Sequence, residues 1–137
     1  MADWSFNFTI DIDLDASIAY AKIFGVWRMQ TAIDYHEQFK RDLEPLTKKP
    51  WVRVVDLVNW RMGTPEMVDE IAKHMRWCRE HNMVLQVHVV NDPVRYGQLQ
   101  RMFERGGAKD ISKVFRTRVE AQRFLREQGY RVRSTYV

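Results

Sequence analysis

Hydrophobic and polar residues alternate one by one in the first stretch of the chain. From Phe6 to Leu14, apolar side chains occupy every second position, with Asn, Thr and Asp between them. A period of two predicts a half-buried β-strand. Residues 15–17 then predict a short turn. The apolar run from Ile18 to Trp27 predicts a second strand, which would pair with the first as a hairpin.

Helical and strand patterns follow in turn. Thr31-x-x-Asp34 resembles a capping box and predicts the start of a first helix. Val52 to Val58 is a nearly continuous apolar run, which is typical of a central strand covered on both faces. Thr64-Pro65-Glu66 combines an N-cap hydroxyl, a proline at the first helical position and an acid near the positive helix end. These three residues predict the start of a second helix.

Two more strands and two more helices complete the pattern. Val84 to Asn91 predicts a strand, and Asp92-Pro93 predicts the start of a helix that Gly106 and Gly107 end. Asp110 to Arg116 predicts a weaker strand. Thr117-x-x-Glu120 is a capping box that opens the last helix.

The resulting order, β-β-α-β-α-β-α-β-α, favours an α/β fold with parallel strands and crossover helices. We predict a mixed, mostly parallel sheet of about five strands with an N-terminal antiparallel edge strand and four helices. The 137 residues are enough for one domain, so residues 1–137 are interpreted as a single domain. Its core would span about residues 6–129, with 130–137 as a C-terminal tail or edge strand.

This layout resembles the STAS-type fold and, within it, the SpoIIAA-like group of small bacterial proteins. The matching segments are Ile23-Phe24-Gly25-Val26-Trp27, Val54-Val55-Asp56-Leu57, Val89-Val90-Asn91-Asp92 and Val114-Phe115. The resemblance implies a non-enzymatic regulatory domain that binds partner proteins or small ligands. It also implies a cleft for non-polar or lipid-like ligands.

In the anti-sigma-factor antagonists of this group, a serine that begins the helix after the third strand is phosphorylated within Asp-Ser-Ser-Gly. The corresponding segment here is Arg61-Met62-Gly63-Thr64-Pro65, which contains no serine. Thr64 is the nearest hydroxyl and is therefore the candidate switch residue. Its side chain is expected to act as an N-cap, which argues against a phosphorylation switch.

Ligands of open α/β sheets sit outside the carboxyl ends of the parallel strands. At those ends this sequence carries Trp27, Arg28, Asn59, Trp60 and Arg61. Indole rings offer flat apolar area, and guanidinium groups grip carboxylates or phosphates with two hydrogen bonds. We therefore predict a cleft for a small non-polar or amphipathic anionic ligand. The alternative is that both tryptophans cap the sheet core while the arginines face water.

Charge is unevenly distributed along the chain. Residues 93–137 hold 11 Lys/Arg and 4 Asp/Glu, although the whole chain has a net charge of only +4. Six arginines surround the last predicted helix: Arg116, Arg118, Arg123, Arg126, Arg131 and Arg133. Basic patches bind nucleic-acid backbones in a salt-sensitive way, but no reader motif accompanies this one. Solvation of two surface helices is the simpler interpretation.

Two further groups of residues invite a chemical interpretation. His74, Cys78 and His81 share one helix face, yet no fourth zinc ligand lies near them in sequence, so packing is favoured. Asp56 lies in an apolar strand, where a buried carboxylate can mark function. A structural hydrogen bond at the strand end is the favoured interpretation for Asp56.

No catalytic constellation is found. Gly-x-Ser-x-Gly, the phosphate-binding loop and the Gly-x-Gly-x-x-Gly fingerprint do not occur. We therefore predict a protein that is not an enzyme and uses no cofactor or metal. The single cysteine, the lack of an apolar run of about 20 residues and the acidic N-terminus favour a cytoplasmic protein without a membrane span. Tyr130 to Val137 could add a strand to a second copy, which would give a homodimer.

Overall fold

The structure is a computed structural model, and it describes residues 7–133. The described strands are β1 (Phe8–Asp13), β2 (Ile18–Ile23), β3 (Gly25–Trp27), β4 (Trp51–Asp56), β5 (Trp60–Gly63), β6 (Met83–Val89) and β7 (Ser112–Phe115). The described helices are α1 (Met29–Leu43), α2 (Pro65–Glu80), α3 (Pro93–Arg105) and α4 (Arg118–Glu127). Short 3-10 turns occupy Glu44–Leu46 and Lys109–Ile111. The four helices expected from the sequence are confirmed.

Five strands form one sheet in the order β1-β2-β4-β6-β7. β1 and β2 are antiparallel, and the other three pairs are parallel. This confirms the mostly parallel sheet with an N-terminal antiparallel edge strand. Parallel pairing sets Arg53 beside Gln86 and Val55 beside His88. Because side chains alternate along a strand, Arg53, Gln86 and His88 share one face of the sheet.

A second, two-stranded sheet was not expected from the sequence. The predicted strand Ile18 to Trp27 is divided after Ile23, because Gly25 adopts φ +65°, which turns the chain out of the main sheet. The predicted strand Val52 to Val58 ends at Asp56, and the chain re-forms a strand only at β5. β3 and β5 pair in parallel, and we call this unit the β3–β5 ribbon.

Each face of the main sheet covers its own hydrophobic core. Helices α1, α2 and α3 pack on one face, where Phe39 and Trp51 are at most 1% exposed. α4 packs on the opposite face against Ile18 and Val52. Strands covered on both sides must be largely apolar, which explains the nearly continuous apolar run in β4. Arg53 interrupts this run on the face that α1–α3 cover.

Three of the four helices begin where the sequence predicts, with Thr64, Asp92 and Thr117 at their N-cap positions. Two of these residues make the expected capping hydrogen bonds. The Asp92 carboxylate accepts the backbone N–H groups of Val94 and Arg95 at 2.8 and 3.1 Å. The Thr117 hydroxyl oxygen accepts the Glu120 N–H at 3.2 Å. α1, in contrast, has Arg28 at its N-cap and begins at Met29, so the prediction that Thr31 opens it as the N-cap was wrong by three residues. Thr31 instead lies in the first turn, where its hydroxyl accepts the Arg28 N–H at 3.4 Å.

The C-terminal segment does not continue the sheet as far as residue 133. Residues 130–133 form no strand, so the edge-strand alternative for this part was wrong. Tyr130 and Val132 pack instead on the core beneath α4. The Arg133 N–H donates to the Tyr20 hydroxyl at 3.0 Å, and its guanidinium pairs with Asp11 and Asp13. The rest of the predicted strand, 134–137, lies outside the described residues.

Candidate functional site

A small cavity lies between the sheet and the helices α1–α3, near the carboxyl ends of β4 and β6. Its volume is about 40 Å3, which is room for about three waters. The lining residues come from the sheet, the β3–β5 ribbon and all three helices: Ile23, Trp27, Tyr35, Arg53, Val55, Leu57, Trp60, Met67, Ile71, Met75, His88, Leu99 and Met102. All of them are buried. A ligand can therefore reach the cavity only if its cover moves.

The ribbon supplies both predicted tryptophans. Trp27 and Trp60 are each 2% exposed and line the same cavity. The Trp27 indole N–H donates to the Phe24 carbonyl at 3.1 Å. The Trp60 indole N–H is buried and has no hydrogen-bond partner. Buried indole N–H groups normally donate a hydrogen bond, so the Trp60 N–H is an unsatisfied donor.

The three polar residues of the predicted site lie on the protein surface and not at the cavity. Arg28, Asn59 and Arg61 are exposed and do not line the cavity. In the β5 strand, side chains alternate, so Trp60 points inward while Arg61 points to solvent. The alternative interpretation, in which the tryptophans are buried and the arginines face water, describes this part of the structure.

A cation that the sequence analysis did not single out lies beside the cavity. Arg53 is 2% exposed, and its guanidinium donates to His74 Nε2 and to Gln86 Oε1. Its Nε–H is buried without a partner. Among residues 7–133, no carboxylate lies within 4.0 Å of this guanidinium. An arginine this deeply buried is normally paired with an anion.

The partners of Arg53 fix the protonation of a histidine chain. A guanidinium only donates, so His74 Nε2 must accept, and the proton of neutral His74 sits on Nδ1. His74 Nδ1–H then donates to His36 Nδ1 at 2.8 Å. On the other side, Gln86 Nε2 donates to the Ser112 hydroxyl at 2.6 Å. This polar chain holds the guanidinium without neutralising it.

Burial sets the protonation states around the cavity. Desolvation, assisted by the nearby Arg53 charge, lowers the pKa of His74 and of His88 well below the ordinary value, so both are neutral near pH 7. Burial raises the pKa of Tyr35 to about 12, which keeps its hydroxyl protonated. His88 Nδ1 is also buried without a partner. The cavity wall therefore combines one uncompensated positive charge with neutral polar groups.

Two side chains of α3, Gln98 and Arg95, form hydrogen bonds with the backbone in and around β5, and we call these contacts the α3 clasp. The Gln98 side chain donates to the Gly63 carbonyl at 2.9 Å and accepts the Gly63 N–H at 3.0 Å. The Arg95 guanidinium donates to the carbonyls of Leu57, Val58 and Trp60. Next to this clasp Met62 has φ 141°, a region that costs a side-chain-bearing residue strain.

The candidate switch residue lies at the expected position but does not make the expected hydrogen bond. Thr64 does occupy the N-cap position of α2, but its hydroxyl makes no capping hydrogen bond, so that expectation was wrong. The hydroxyl oxygen is instead buried without a partner. A kinase could not reach it in this conformation.

Asp56 and the histidine–cysteine face are structural. Asp56 is 4% exposed, accepts the Val58 N–H at 3.0 Å and pairs with Arg118 of α4 at 2.8 Å. Cys78 is buried against His74, and burial raises the pKa of its thiol to about 12. Within residues 7–133 no group of His, Cys, Asp and Glu side chains could hold a metal ion. The geometry thus supports the favoured interpretations of both groups.

The basic C-terminal region is partly engaged within the chain. Arg118 pairs with Asp56, Arg131 donates to the Asp15 carbonyl at 2.8 Å, and Arg133 pairs with Asp11 and Asp13. Half of the six arginines that suggested a nucleic-acid surface therefore have structural partners.

Sequence reasoning missed Arg53 and His88. Arg53 stands in the run that was interpreted as a nearly continuous apolar strand, and His88 stands in the predicted strand Val84 to Asn91. A signal was nevertheless present, because a charged residue in the middle of a strand covered on both faces has no route to solvent. Such a residue needs a buried partner or a ligand.

The described elements define a layered α/β domain of the SpoIIAA-like, STAS-type fold. A protein of the DUF3478 family from Shewanella loihica, titled uncharacterised and with a SpoIIAA-like fold, superposes with a TM-score of 0.63 at 12% identity, over 86% of this chain and 91% of that one. The unphosphorylated anti-sigma factor antagonist SpoIIAA gives 0.59 at 10% identity, over 89% and 98%.

The phosphorylated form of SpoIIAA from Bacillus gives a TM-score of 0.55 at 11% identity, over 86% of this chain and 98% of that one. At such identities the likeness establishes the fold. No protein-family model matches the sequence, and neither does any curated protein. None of the helices within residues 7–133 has the length and apolar character that crossing a membrane requires.

Proposed function

We propose that this chain is a regulatory binding domain that holds a small non-polar or amphipathic anionic ligand in the cavity beneath the β3–β5 ribbon. The observation that carries the proposal is the cavity wall, in which Arg53, Trp60 and His88 each keep a buried polar atom without a partner. Buried polar atoms are almost always satisfied, and exceptions in one place favour a missing partner. An apolar pocket with a few convergent polar groups is the usual form of a ligand site.

The chemistry of the wall supports binding without catalysis. None of the side chains that line the cavity is a serine, a cysteine or a carboxylate. The nearby thiol of Cys78 is held protonated, since burial raises its pKa to about 12. His88, the histidine among the lining residues, is held neutral by a lowered pKa, and no serine or cysteine lines the cavity with it for activation.

The predicted ligand residues take two different roles in this proposal. Trp27 and Trp60 form part of the cavity wall. Arg28, Asn59 and Arg61, which are exposed, are assigned to the outer surface over the cavity, where a macromolecular partner would contact the domain.

Native mass spectrometry of the purified protein, followed by tryptophan fluorescence titration with a panel of fatty acids, short-chain acids and neutral amides, tests the proposal. We expect a retained or added small ligand and a saturable change in emission that Trp60→Phe reduces. Trp51→Phe is the matched control, because Trp51 is equally buried but lies outside the cavity wall. No retained mass and no saturable change with any probe would refute the ligand proposal.

The fold likeness favours a second candidate, recognition of a partner protein through the start of α2. SpoIIAA is titled an anti-sigma factor antagonist and has been solved in a phosphorylated form. In this chain such recognition would use the surface around Thr64 and Arg61. Intact-mass analysis of protein from its own cells tests for a phosphate at Thr64, with Thr64→Val as the control. A phosphate on Thr64 would require the ribbon to open and would favour this candidate over the ligand cavity.

A further inference from the structure

The positive charge beside the cavity has no anion within residues 7–133. The two terminal nitrogens of Arg53 donate to neutral acceptors, the His74 ring and the Gln86 amide. The Phe39 ring, whose centroid lies 5.5 Å from the guanidinium carbon, adds a cation–π contact. Among the described residues no carboxylate within 4.0 Å balances the charge, and a buried charge without a counter-ion is strongly unfavourable. An anion placed in the cavity would remove that cost.

The unpartnered polar atoms suit an anion with more than one acceptor. Arg53 Nε–H and Trp60 Nε1–H can only donate. Neutral His88 carries one N–H, which can sit on its unpartnered Nδ1. Two or three donors around one space match the two oxygens of a carboxylate, which together accept about four hydrogen bonds.

The rest of the wall limits the group that the anion can carry. Aliphatic and methionine side chains dominate it, among them Val55, Leu57, Ile71 and Leu99. A volume of about 40 Å3 admits only a few heavy atoms without rearrangement. Three methionines, Met67, Met75 and Met102, also line the cavity, and their flexible side chains allow modest enlargement.

We infer that the cavity binds a short-chain monocarboxylate, with its carboxylate held by Arg53, Trp60 and His88 and its alkyl chain against the methionine-rich wall. This inference rests on the proposed function, since it takes the cavity to be the ligand site. It adds the chemical class of the ligand and the residues that select it. Arg53 provides the charge, and Trp60 provides a donor that Trp60→Phe removes while an aromatic ring is kept in the wall.

The test is isothermal titration calorimetry with butyrate and with butyramide, its neutral analogue, in a buffer without carboxylates. We expect butyrate to bind at least about 10-fold more tightly, because a hydrogen-bonded charge is worth more than a neutral pair. Trp60→Phe should reduce the preference for butyrate over butyramide about 10-fold, because the change in cavity shape affects both compounds and cancels in the ratio of their affinities. Trp51→Phe, whose indole is bonded to the His81 carbonyl outside the cavity, should change neither affinity.

Arg53→Met should abolish butyrate preference, and Trp60→Phe keeps the test valid if Arg53→Met does not fold. Equal or tighter binding of butyramide would overturn the inference and leave the proposed ligand cavity standing. Failure of both compounds, together with failure of the wider probe panel, would overturn the inference and the proposed function together. A preference for butyrate over butyramide that is unchanged in Trp60→Phe would overturn the assignment of the carboxylate to this wall.

Discussion

Lowering the pH from 7 to 5 will destabilise the fold through two buried histidines. His74 and His88 have pKa values well below 6.5 in the folded state, chiefly because burial penalises the charged ring. In the unfolded chain both titrate near 6.5. Above that pH both states are unprotonated and the histidines contribute no pH dependence. Below it only the unfolded state binds protons, so the free energy of unfolding falls as pH falls.

The size of the effect is set by the unfolded-state pKa. Each histidine lowers the free energy of unfolding by about 1.4 kcal/mol per pH unit once the pH is well below 6.5. At pH 5 this amounts to about 2 kcal/mol for each, or about 4 kcal/mol for the pair. Domains of this size are stable by only about 5–15 kcal/mol, so the loss is large. The lowered carboxyl pKa of Asp13 adds nothing in this range, because its contribution is lost only as pH falls below about 4.

Urea denaturation at half-unit steps between pH 7 and 5, in a buffer free of carboxylates, measures the effect. The variant His88→Leu should lose about 2 kcal/mol of the change between pH 7 and 5 and retain the part that comes from His74 and from His36, whose pKa burial also lowers. A midpoint that stays constant between pH 7 and 5 would refute the reasoning. So would a His88→Leu variant whose pH dependence equals that of the parent protein.

Three further predictions concern stability and reactivity. Asp56→Asn should lower the free energy of unfolding by about 2 kcal/mol, because it breaks the ion pair of a buried carboxylate with Arg118. Asp69→Asn, in the exposed pair with Arg105, should change it by less than about 0.5 kcal/mol, and equal effects of the two substitutions would contradict the prediction. Gly63→Ala should destabilise the protein by about 1–3 kcal/mol, because the added Cβ would lie 2.5 Å from Met67 of α2. Gly97→Ala, in a helix with open space around it, should stabilise the protein by about 0.5–1 kcal/mol, and thermal melts should show a lower Tm for the first variant and a higher Tm for the second. Cys78 should react with iodoacetamide no faster than the protein unfolds, since burial raises the pKa of its thiol to about 12. Mass spectrometry measures the alkylation, and rapid alkylation of the native protein would contradict the burial of Cys78.

Much of the fold could be predicted from the sequence because local signals agree with tertiary structure there. Alternation in Phe8–Asp13 and the continuous apolar run in β4 reflect one-sided and two-sided burial, respectively. The caps at Asp92 and Thr117 are local hydrogen bonds and therefore leave a local trace.

The β3–β5 ribbon could not be predicted in the same way. Its strands are three and four residues long, which is too short for a period to be recognised. Their pairing depends on contacts between distant segments, such as the Gly25 N–H donating to the Asn59 carbonyl at 2.9 Å. The ligand prediction placed Arg28 and Arg61 at the edge of the main sheet, whereas Arg61 lies in β5 of the ribbon and Arg28 follows β3.

The ribbon also connects the two candidate functions. In β5 the buried Trp60 and the exposed Arg61 are consecutive residues, so a displacement of one side chain through the backbone displaces the other. The strained Met62 follows them, and the clasp of α3 on Gly63 sets the position of the whole strand. Trp27 and Trp60 of the ribbon line the cavity, so a ligand bound there would contact the ribbon. If a ligand displaces the Trp60 side chain, the link from the cavity to the outer surface around Arg61 and Thr64 would run along β5, where Arg61 is one peptide bond from Trp60. A partner that binds this surface would sense the ligand through differential contacts with the two ribbon positions, which is the physical requirement for coupling between sites.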